Sequence, residues 1–131
     1  MVKGDPMEEK KPKKILIIED NEELVLSITT LLKPEGYHVL AAYDSLYGRN
    51  LAYKENVDLV ILDLGLPAGG GFFVLENLKR STKTNHIPVI IITAQQEEEL
   101  KDKAFKMGAA AYLLKPFDPE ELLKRIKEIL K

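Results

Sequence analysis

Residues 14–20 read Lys-Ile-Leu-Ile-Ile-Glu-Asp, a continuous apolar run with two acids at its end. Such a run, rich in β-branched residues, is typical of a strand covered on both faces in a parallel sheet. Four further runs of this kind recur along the chain, at residues 39–42, 59–62, 89–92 and 110–114. The sequence therefore predicts five buried parallel strands.

Helical patterns lie between and after these runs. Apolar residues at helical spacing follow Asn21, the predicted N-cap of a first helix, and the pattern returns after Asp118, with Pro119 at the first helical position. The helix predicted over residues 45–54 is the weakest, because Gly48 in its interior costs about 1 kcal/mol relative to alanine. Strand and helix alternate five times, which predicts an α/β fold with a parallel sheet between two helical layers.

Length and composition limit the chain to one ordinary globular domain. It has 131 residues, 45% of them apolar, and no cysteine, which excludes disulfides, zinc–thiolate sites and thiol catalysis. Prolines, Gly4 and lysines indicate a flexible lysine-rich leader over residues 1–13, and residues 14–131 form the predicted domain. A glycine-rich stretch at 68–71 predicts a loose loop after the third strand.

The net charge of –2 and its distribution limit the classes of partner that the chain is expected to bind. A mildly acidic body does not suggest direct nucleic-acid binding. No apolar run approaches the roughly 20 residues that a membrane-spanning helix needs, and the first 14 residues are too polar for a signal peptide. A cytoplasmic protein without membrane contact is the expectation.

Chemically active side chains directly follow four of the predicted strands. Glu19 and Asp20 follow the first, Asp63 the third, Thr93 the fourth and Lys115 the fifth. Ligands of open α/β sheets bind outside the carboxyl ends of the strands, so these groups are expected to converge there. Taken singly, each has an ordinary alternative: Asp20 and Thr93 as helix caps, Asp63 as a turn cap, Lys115 as a surface lysine.

Three converging carboxylates repel one another unless cations compensate. Lys115 supplies one positive charge, and Mg²⁺ fits the remainder, because it prefers oxygen ligands and binds through one or two carboxylates. A carboxylate beside Mg²⁺ and a lysine can attack phosphorus to give an acyl phosphate. Asp63 is the candidate nucleophile, with Lys115 and the Thr93 hydroxyl as groups that stabilise the transferred oxygens.

With these residues the sequence resembles the receiver domains of two-component response regulators over residues 14–131. The likeness lies in Ile17 to Asn21, in Asp63 to Pro67 with Gly71, in Ile91 to Ala94 and in Gly108 to Phe117. It implies a single-domain, flavodoxin-like (βα)5 fold with strand order 2-1-3-4-5. In the family, aspartate is common where this chain has Gly70, and positions 65 and 95 tune the lifetime of the acyl phosphate.

The resemblance implies a role for each site residue. Asp63 matches the phosphoacceptor, which takes its phosphoryl group from a phosphohistidine of a histidine kinase. Asp20 and Asp63 match direct Mg²⁺ ligands, the Gly65 backbone carbonyl matches a third, and Glu19 matches the acid that reaches the metal through water. Lys115 matches the lysine that pairs with the phosphoryl group, and its bond to Pro116 is expected to be cis.

Thr93 and Tyr112 match the family's switch pair, which changes the surface formed by helix four, strand five and helix five. The implied partners are a sensor histidine kinase or phosphotransfer protein and a downstream protein target that binds this surface. The implied chemistry is self-phosphorylation and self-dephosphorylation only, so the chain is not expected to be an enzyme. A monomer is expected at rest, and dimerisation on phosphorylation stays open.

Three other classes are weighed against this interpretation. A receiver-like interaction module without phosphoryl turnover stays open, although such modules usually lack an acid or the lysine. A flavin-binding protein would need a phosphate loop after the first strand, where Glu19 and Asp20 would repel phosphate. An aspartate-nucleophile phosphatase would place its nucleophile after the first strand, whereas Asp63 follows the third. Whether the chain is a stand-alone receiver or part of a larger regulator also stays open.

Overall fold

The computed structural model describes residues 11–131, which form one five-stranded parallel sheet with helices on both faces. The strands are β1 (Lys14–Ile18), β2 (His38–Ala42), β3 (Leu59–Asp63), β4 (Val89–Thr93) and β5 (Ala111–Leu114). The helices are α1 (Glu22–Leu32), α2 (Ser45–Lys54), α3 (Gly70–Arg80), α4 (Glu98–Lys106) and α5 (Pro119–Leu130), with 3₁₀ turns at Lys33–Glu35 and Pro67–Gly69. The predicted fold and the strand order 2-1-3-4-5 are confirmed.

The boundaries differ slightly from the predicted ones. Asp63 and Thr93 are the last residues of β3 and β4 rather than the first residues after them, and Ala110 precedes β5. The predicted loose loop at 68–71 is wrong, because Pro67–Gly69 form a 3₁₀ turn and α3 begins at Gly70. The positive φ angles of Ala68 (56°) and Gly69 (71°) connect the turn to the helix.

The predicted flexible leader, residues 1–13, falls mostly on residues 1–10, which lie outside the described residues. The three leader residues that the structure describes are exposed and irregular. The carbonyl of Lys13 nevertheless accepts a hydrogen bond from the backbone N–H of His38 at 2.9 Å. The bonding between the first two strands therefore extends one residue ahead of β1.

The central strands β1, β3 and β4 bury side chains in two separate cores. Leu16 and Ile18 of β1 point into a core covered by α2, α3 and α4, whereas Ile15 and Ile17 point into a core covered by α1 and α5. All four side chains are fully buried. Strands covered on both faces have no solvent face that would require polar residues, which explains the continuous apolar runs.

Capping hydrogen bonds confirm the two helix starts that the sequence predicts. Asn21 Oδ1 accepts from the backbone N–H of Leu24 at 3.1 Å, and Asp118 Oδ1 accepts from that of Glu120 at 3.0 Å. These side chains satisfy backbone donors that have no partner within the helix. The cap of α1 is Asn21 and not Asp20, which leaves the Asp20 carboxylate available for other contacts.

Gly48 lies buried inside α2, where the sequence predicts only a weak point. A β-carbon at this position would lie 2.7–2.8 Å from three side-chain carbons of Ile18. The glycine therefore allows α2 to approach β1 more closely than any larger residue would. Its low helix propensity is offset by packing, so residues 45–54 form a complete helix.

None of the helices within residues 11–131 has both the length and the apolar character needed to cross a membrane.

Candidate functional site

Three acids meet at the carboxyl ends of β1 and β3. One carboxylate oxygen from each of Glu19, Asp20 and Asp63 lies within 4.8 Å of the other two. Glu19 is 1% exposed and Asp63 is 5% exposed, whereas Asp20 is exposed to solvent. The site is thus a small acidic recess with two buried carboxylates at its base and a third at its mouth.

Lys115 closes this recess from the end of β5. Its ammonium nitrogen lies 2.9 Å from Oε1 of Glu19 and 3.4 Å from Oδ2 of Asp63. The backbone N–H of Lys115 also donates to the carbonyl of Thr93 at 2.8 Å, which holds the residue against the end of β4. The alternative of an ordinary surface lysine is wrong, because its head group contacts two buried acids. The peptide bond between Lys115 and Pro116 is cis.

Backbone N–H groups satisfy the remaining oxygens of the two buried acids. Glu19 Oε2 accepts from the backbone N–H of Asn21 at 3.0 Å, and Asp63 Oδ1 accepts from that of Gly65 at 2.9 Å. Asp63 therefore makes the contact of a turn cap and also belongs to the acid cluster. Both carboxylates are held in fixed orientations, as a site that positions reacting atoms requires.

Burial and charge act in opposite directions on the titration of Glu19. Burial raises the pKa of this carboxyl, and nearby Asp63 adds to the rise, against the contacts with Lys115 and the Asn21 N–H. The net pKa is raised above the usual range of glutamate.

The ammonium group of Lys115 is affected in the opposite sense. Burial by itself lowers the pKa of Lys115, but the contacts with Glu19 and Asp63 together outweigh burial and raise it. Lys115 therefore carries a full positive charge between the two acids at neutral pH.

The donor set of the cluster fits Mg²⁺. All three groups are carboxylates, with neither histidine nor cysteine among them, and one of them faces solvent, where a metal could keep its waters. Hard oxygen donors with access for water are what Mg²⁺ requires. The single charge of Lys115 leaves an excess of negative charge that a divalent cation would balance.

Thr93 and Tyr112 are both tied to Gln95, in the loop between β4 and α4. Thr93 is fully buried, and its Oγ1 accepts from the backbone N–H of Gln95 at 3.1 Å. The Tyr112 hydroxyl donates to the backbone carbonyl of Gln95 at 3.1 Å. The alternative of Thr93 as the cap of α4 is wrong, since that helix begins at Glu98.

The Tyr112 ring is half-buried beside Phe105 of α4, with ring centroids 6.4 Å apart. Burial raises the pKa of Tyr112, and the carboxylates of Glu97 and Glu98 raise it further. Sequence reasoning missed the position of Gln95 between these two residues. No residue type could have indicated it, because Gln95 contributes only its backbone.

Comparison with known proteins identifies the family. Residues 15–127 match the family described as the response regulator receiver domain, and this chain belongs to that family. A solved structure, the response regulator receiver domain protein (CheY-like) from Methanospirillum hungatei JF-1, superposes with a TM-score of 0.83 at 31% identity, over 89% of this chain and 92% of that one.

Two curated relatives differ in how much of them this chain covers. The DNA-binding dual master transcriptional regulator RpaA of Synechocystis is 40% identical over 118 residues, which are 90% of this chain and 49% of RpaA. Protein PilH of Pseudomonas aeruginosa is 37% identical over 117 residues, or 89% of this chain and 97% of PilH. The chain thus spans about half the length of the first curated relatives and nearly all of PilH.

Proposed function

We propose that this receiver domain is a phosphoryl-accepting signalling switch in which Asp63 is the phosphoacceptor. The observation that carries the proposal is the contact of one lysine, Lys115, with two buried acids, Glu19 and Asp63, at the rim of the sheet. A buried carboxylate beside a fixed ammonium group and further acids is a poor structural element but a suitable phosphoryl acceptor. The donor of the phosphoryl group is a phosphohistidine on a sensor histidine kinase or phosphotransfer protein.

In the transfer, an oxygen of Asp63 attacks the phosphorus and forms a new O–P bond. The P–N bond of the phosphohistidine breaks, and the imidazole leaves with the electron pair and takes up a proton. Lys115 is close enough to Asp63 Oδ2 to compensate charge on the transferred group. Hydrolysis by water later restores the carboxylate and releases phosphate.

Asp20, Asp63 and the backbone carbonyl of Gly65 would hold Mg²⁺ directly, and Glu19 would hold it through water. When bound, the ion would neutralise charge on the phosphoryl oxygens. Glu19 also anchors Lys115 at 2.9 Å, so it positions the ammonium group as well as contributing negative charge.

Thr93 and Tyr112 form the switch in this proposal. The Thr93 oxygen accepts a hydrogen bond from Gln95, which leaves the hydroxyl hydrogen free to be donated to a phosphoryl oxygen. Because Tyr112 binds the same residue, a movement of Thr93 would be transmitted through Gln95 to the surface of α4, β5 and α5. That surface would then bind a downstream protein target, as a population shift between two packings.

The proposal extends to the location, oligomeric state and domain bounds of the protein. We place it in the cytoplasm, as a monomer at rest, with residues 1–13 as a leader and 14–131 as the receiver. Its chemistry is confined to its own phosphorylation and dephosphorylation. The match covers nearly all of PilH but only about half of RpaA, so this switch could work either as a stand-alone receiver or as part of a larger regulator.

The experiment is the intact mass of the protein after incubation with acetyl phosphate. One phosphoryl adduct should form with Mg²⁺, and none with a chelator or in Asp63→Asn. Asp102→Asn, an exposed acid on α4, is the matched control and should form the adduct normally. Binding of beryllofluoride to the wild type is measured in parallel. If neither the phosphoryl adduct nor bound beryllofluoride is detected, an interaction module without phosphoryl turnover replaces this proposal.

A further inference from the structure

An open groove lies between α3 and α4, outside the acidic site. Its volume is about 700 Å³, and its apolar lining consists of Phe72, Phe73 and Met107. Phe73 is 40% exposed, and the other two are half-buried. The backbones of these two helices lie farther apart than those of α2 and α3, which pack closely together. Neighbouring aromatic side chains that remain open to solvent in this way are typical of interaction surfaces.

Positive charge surrounds this apolar lining. Lys79, Arg80 and Lys103 border the groove, and among residues 11–131 Glu76 is the one acid that lines it. This local excess contrasts with the net charge of –2 for the whole chain. The groove thus carries net positive charge, whereas the protein as a whole is negative. This positive charge favours an acidic occupant over a basic one.

Two of these cations remain available to an occupant. The Lys103 ammonium lies 4.2 Å from the ring centroid of Phe72, and within residues 11–131 no carboxylate lies within 4.0 Å of it. Arg80 lies 3.5 Å from Glu76, but both side chains are exposed, and such pairs are weak. A carboxylate from outside could therefore bind at either cation with little loss of existing contacts.

Lys79 has a different role. Its ammonium group donates to the carbonyls of Ile87 at 2.8 Å and Asn85 at 3.2 Å, so it fixes the segment before β4 to the end of α3. Burial lowers the pKa of Lys79. We therefore assign Lys79 to the wall of the groove and leave Lys103 and Arg80 as its recognition groups.

We propose that this groove docks an acidic amphipathic segment of a partner protein. An aliphatic or aromatic side chain of the segment packs against Phe72, Phe73 and Met107, and its carboxylates pair with Lys103 and Arg80. This is the mode in which an amphipathic helix binds a hydrophobic groove, with charge at the rim setting the choice of partner. The proposal is independent of the phosphorylation chemistry, because none of these side chains belongs to the acidic site.

The test uses a display library of random 12-residue peptides selected on the wild-type chain. Enriched peptides should combine carboxylates with at least one large apolar residue. Their affinity, measured by fluorescence anisotropy, should fall about tenfold or more in Lys103→Glu/Arg80→Glu. The matched control is Lys101→Glu/Lys106→Glu, which makes the same charge change at two exposed positions of α4 outside the groove and should leave affinity within about twofold.

Phe73→Ala should also weaken binding, which separates apolar docking from simple charge attraction. Circular dichroism melting checks that each variant is folded, and Lys103→Gln replaces the double variant if that one does not fold. The proposal is overturned if no peptide is enriched over selection on the double variant, or if enriched peptides are basic or bind both forms equally. It is also overturned if sedimentation shows a wild-type dimer that the double variant lacks, since the occupant is then a second copy of the chain.

Discussion

The ammonium nitrogen of Lys115 lies 2.9 Å from Oε1 of Glu19, although the two residues are 96 positions apart in the chain. Glu19 follows β1 and Lys115 follows β5, and both β3 and β4 lie between these strands in the sheet. The same ammonium nitrogen also lies 3.4 Å from Oδ2 of Asp63, the last residue of β3. The pair therefore joins the two halves of the sheet at the site.

Lys115→Met should destabilise the metal-free protein by about 1–3 kcal/mol, because it leaves the buried Glu19 carboxylate without its cation. The stabilisation by Mg²⁺ should be larger in this variant than in the wild type, since the three carboxylates of the site then lack the positive charge of Lys115. Urea unfolding in chelator and in Mg²⁺ measures both effects. Lys127→Met is the control, because its 2.9 Å pair with Glu35 is exposed and its removal should change little. Equal losses in both variants would contradict a special role of Lys115.

Asp63→Asn should be neutral or stabilising in chelator, because it removes one of three neighbouring carboxylates. The asparagine oxygen can still accept the hydrogen bond of the Gly65 N–H. The same substitution should reduce the stabilisation by Mg²⁺, which for a bound ligand at about 100 times its Kd amounts to about 2.7 kcal/mol. Thermal melting with and without Mg²⁺ is the measurement. A clear loss of stability in chelator would contradict the expected repulsion among the three acids and show that the charge of Asp63 stabilises the fold through Lys115.

Gly48→Ala should lower the free energy of unfolding by up to about 2 kcal/mol. The added methyl group would collide with Ile18, at an overpacking cost of about 1–3 kcal/mol, and about 1 kcal/mol of helix propensity offsets part of this. In an Ile18→Ala background the same change should be harmless or stabilising, because the colliding atoms are gone. A double-mutant cycle by urea unfolding measures this coupling. Additive effects would mean that the cost of Gly48→Ala does not arise from contact with Ile18.

Tyr112→Phe should destabilise the protein at pH 7 by about 0.5–1.5 kcal/mol, because it removes the hydrogen bond to the Gln95 carbonyl. The raised pKa of Tyr112 means that the folded state keeps this proton above pH 10, where the unfolded chain loses it. Wild-type stability should therefore fall as the pH rises beyond 10, and the fall should be smaller in Tyr112→Phe. Unfolding at pH 7, 9 and 10.5 tests both parts. Tyr47→Phe, at a tyrosine that is 55% exposed, is the control and should match the wild type throughout.

Gly65→Leu should slow hydrolysis of the acyl phosphate, and Gly65→Asn should change its rate measurably. A β-carbon at position 65 would lie 3.4 Å from Asp63 Oδ1, so any larger side chain adjoins the proposed phosphoacceptor and the path of attacking water. The decay of the phosphoryl adduct, followed by intact mass, gives the rate. Gly36→Asn controls for a glycine replacement in open space away from the site. Rates unchanged in both position-65 variants would show that this residue does not control access of water.

The sequence by itself predicted the order of strands and helices and the acids at the strand ends. Apolar runs and helical periodicity are local patterns, and parallel strands present their carboxyl ends at one edge of the sheet, so the acids Glu19, Asp20 and Asp63 could be placed together with Lys115. The helix caps at Asn21 and Asp118 were equally local, because each depends on a backbone N–H two or three residues away.

Only the tertiary structure decided the contacts between distant segments. The role of Gly48 depends on how closely α2 approaches Ile18, and the link between Thr93 and Tyr112 passes through the backbone of Gln95. The pairing of Lys115 with Glu19, and the cationic groove between α3 and α4, depend on distances across the sheet and between helices. Residue types and spacing do not encode such distances, because they arise from the packing of the whole chain.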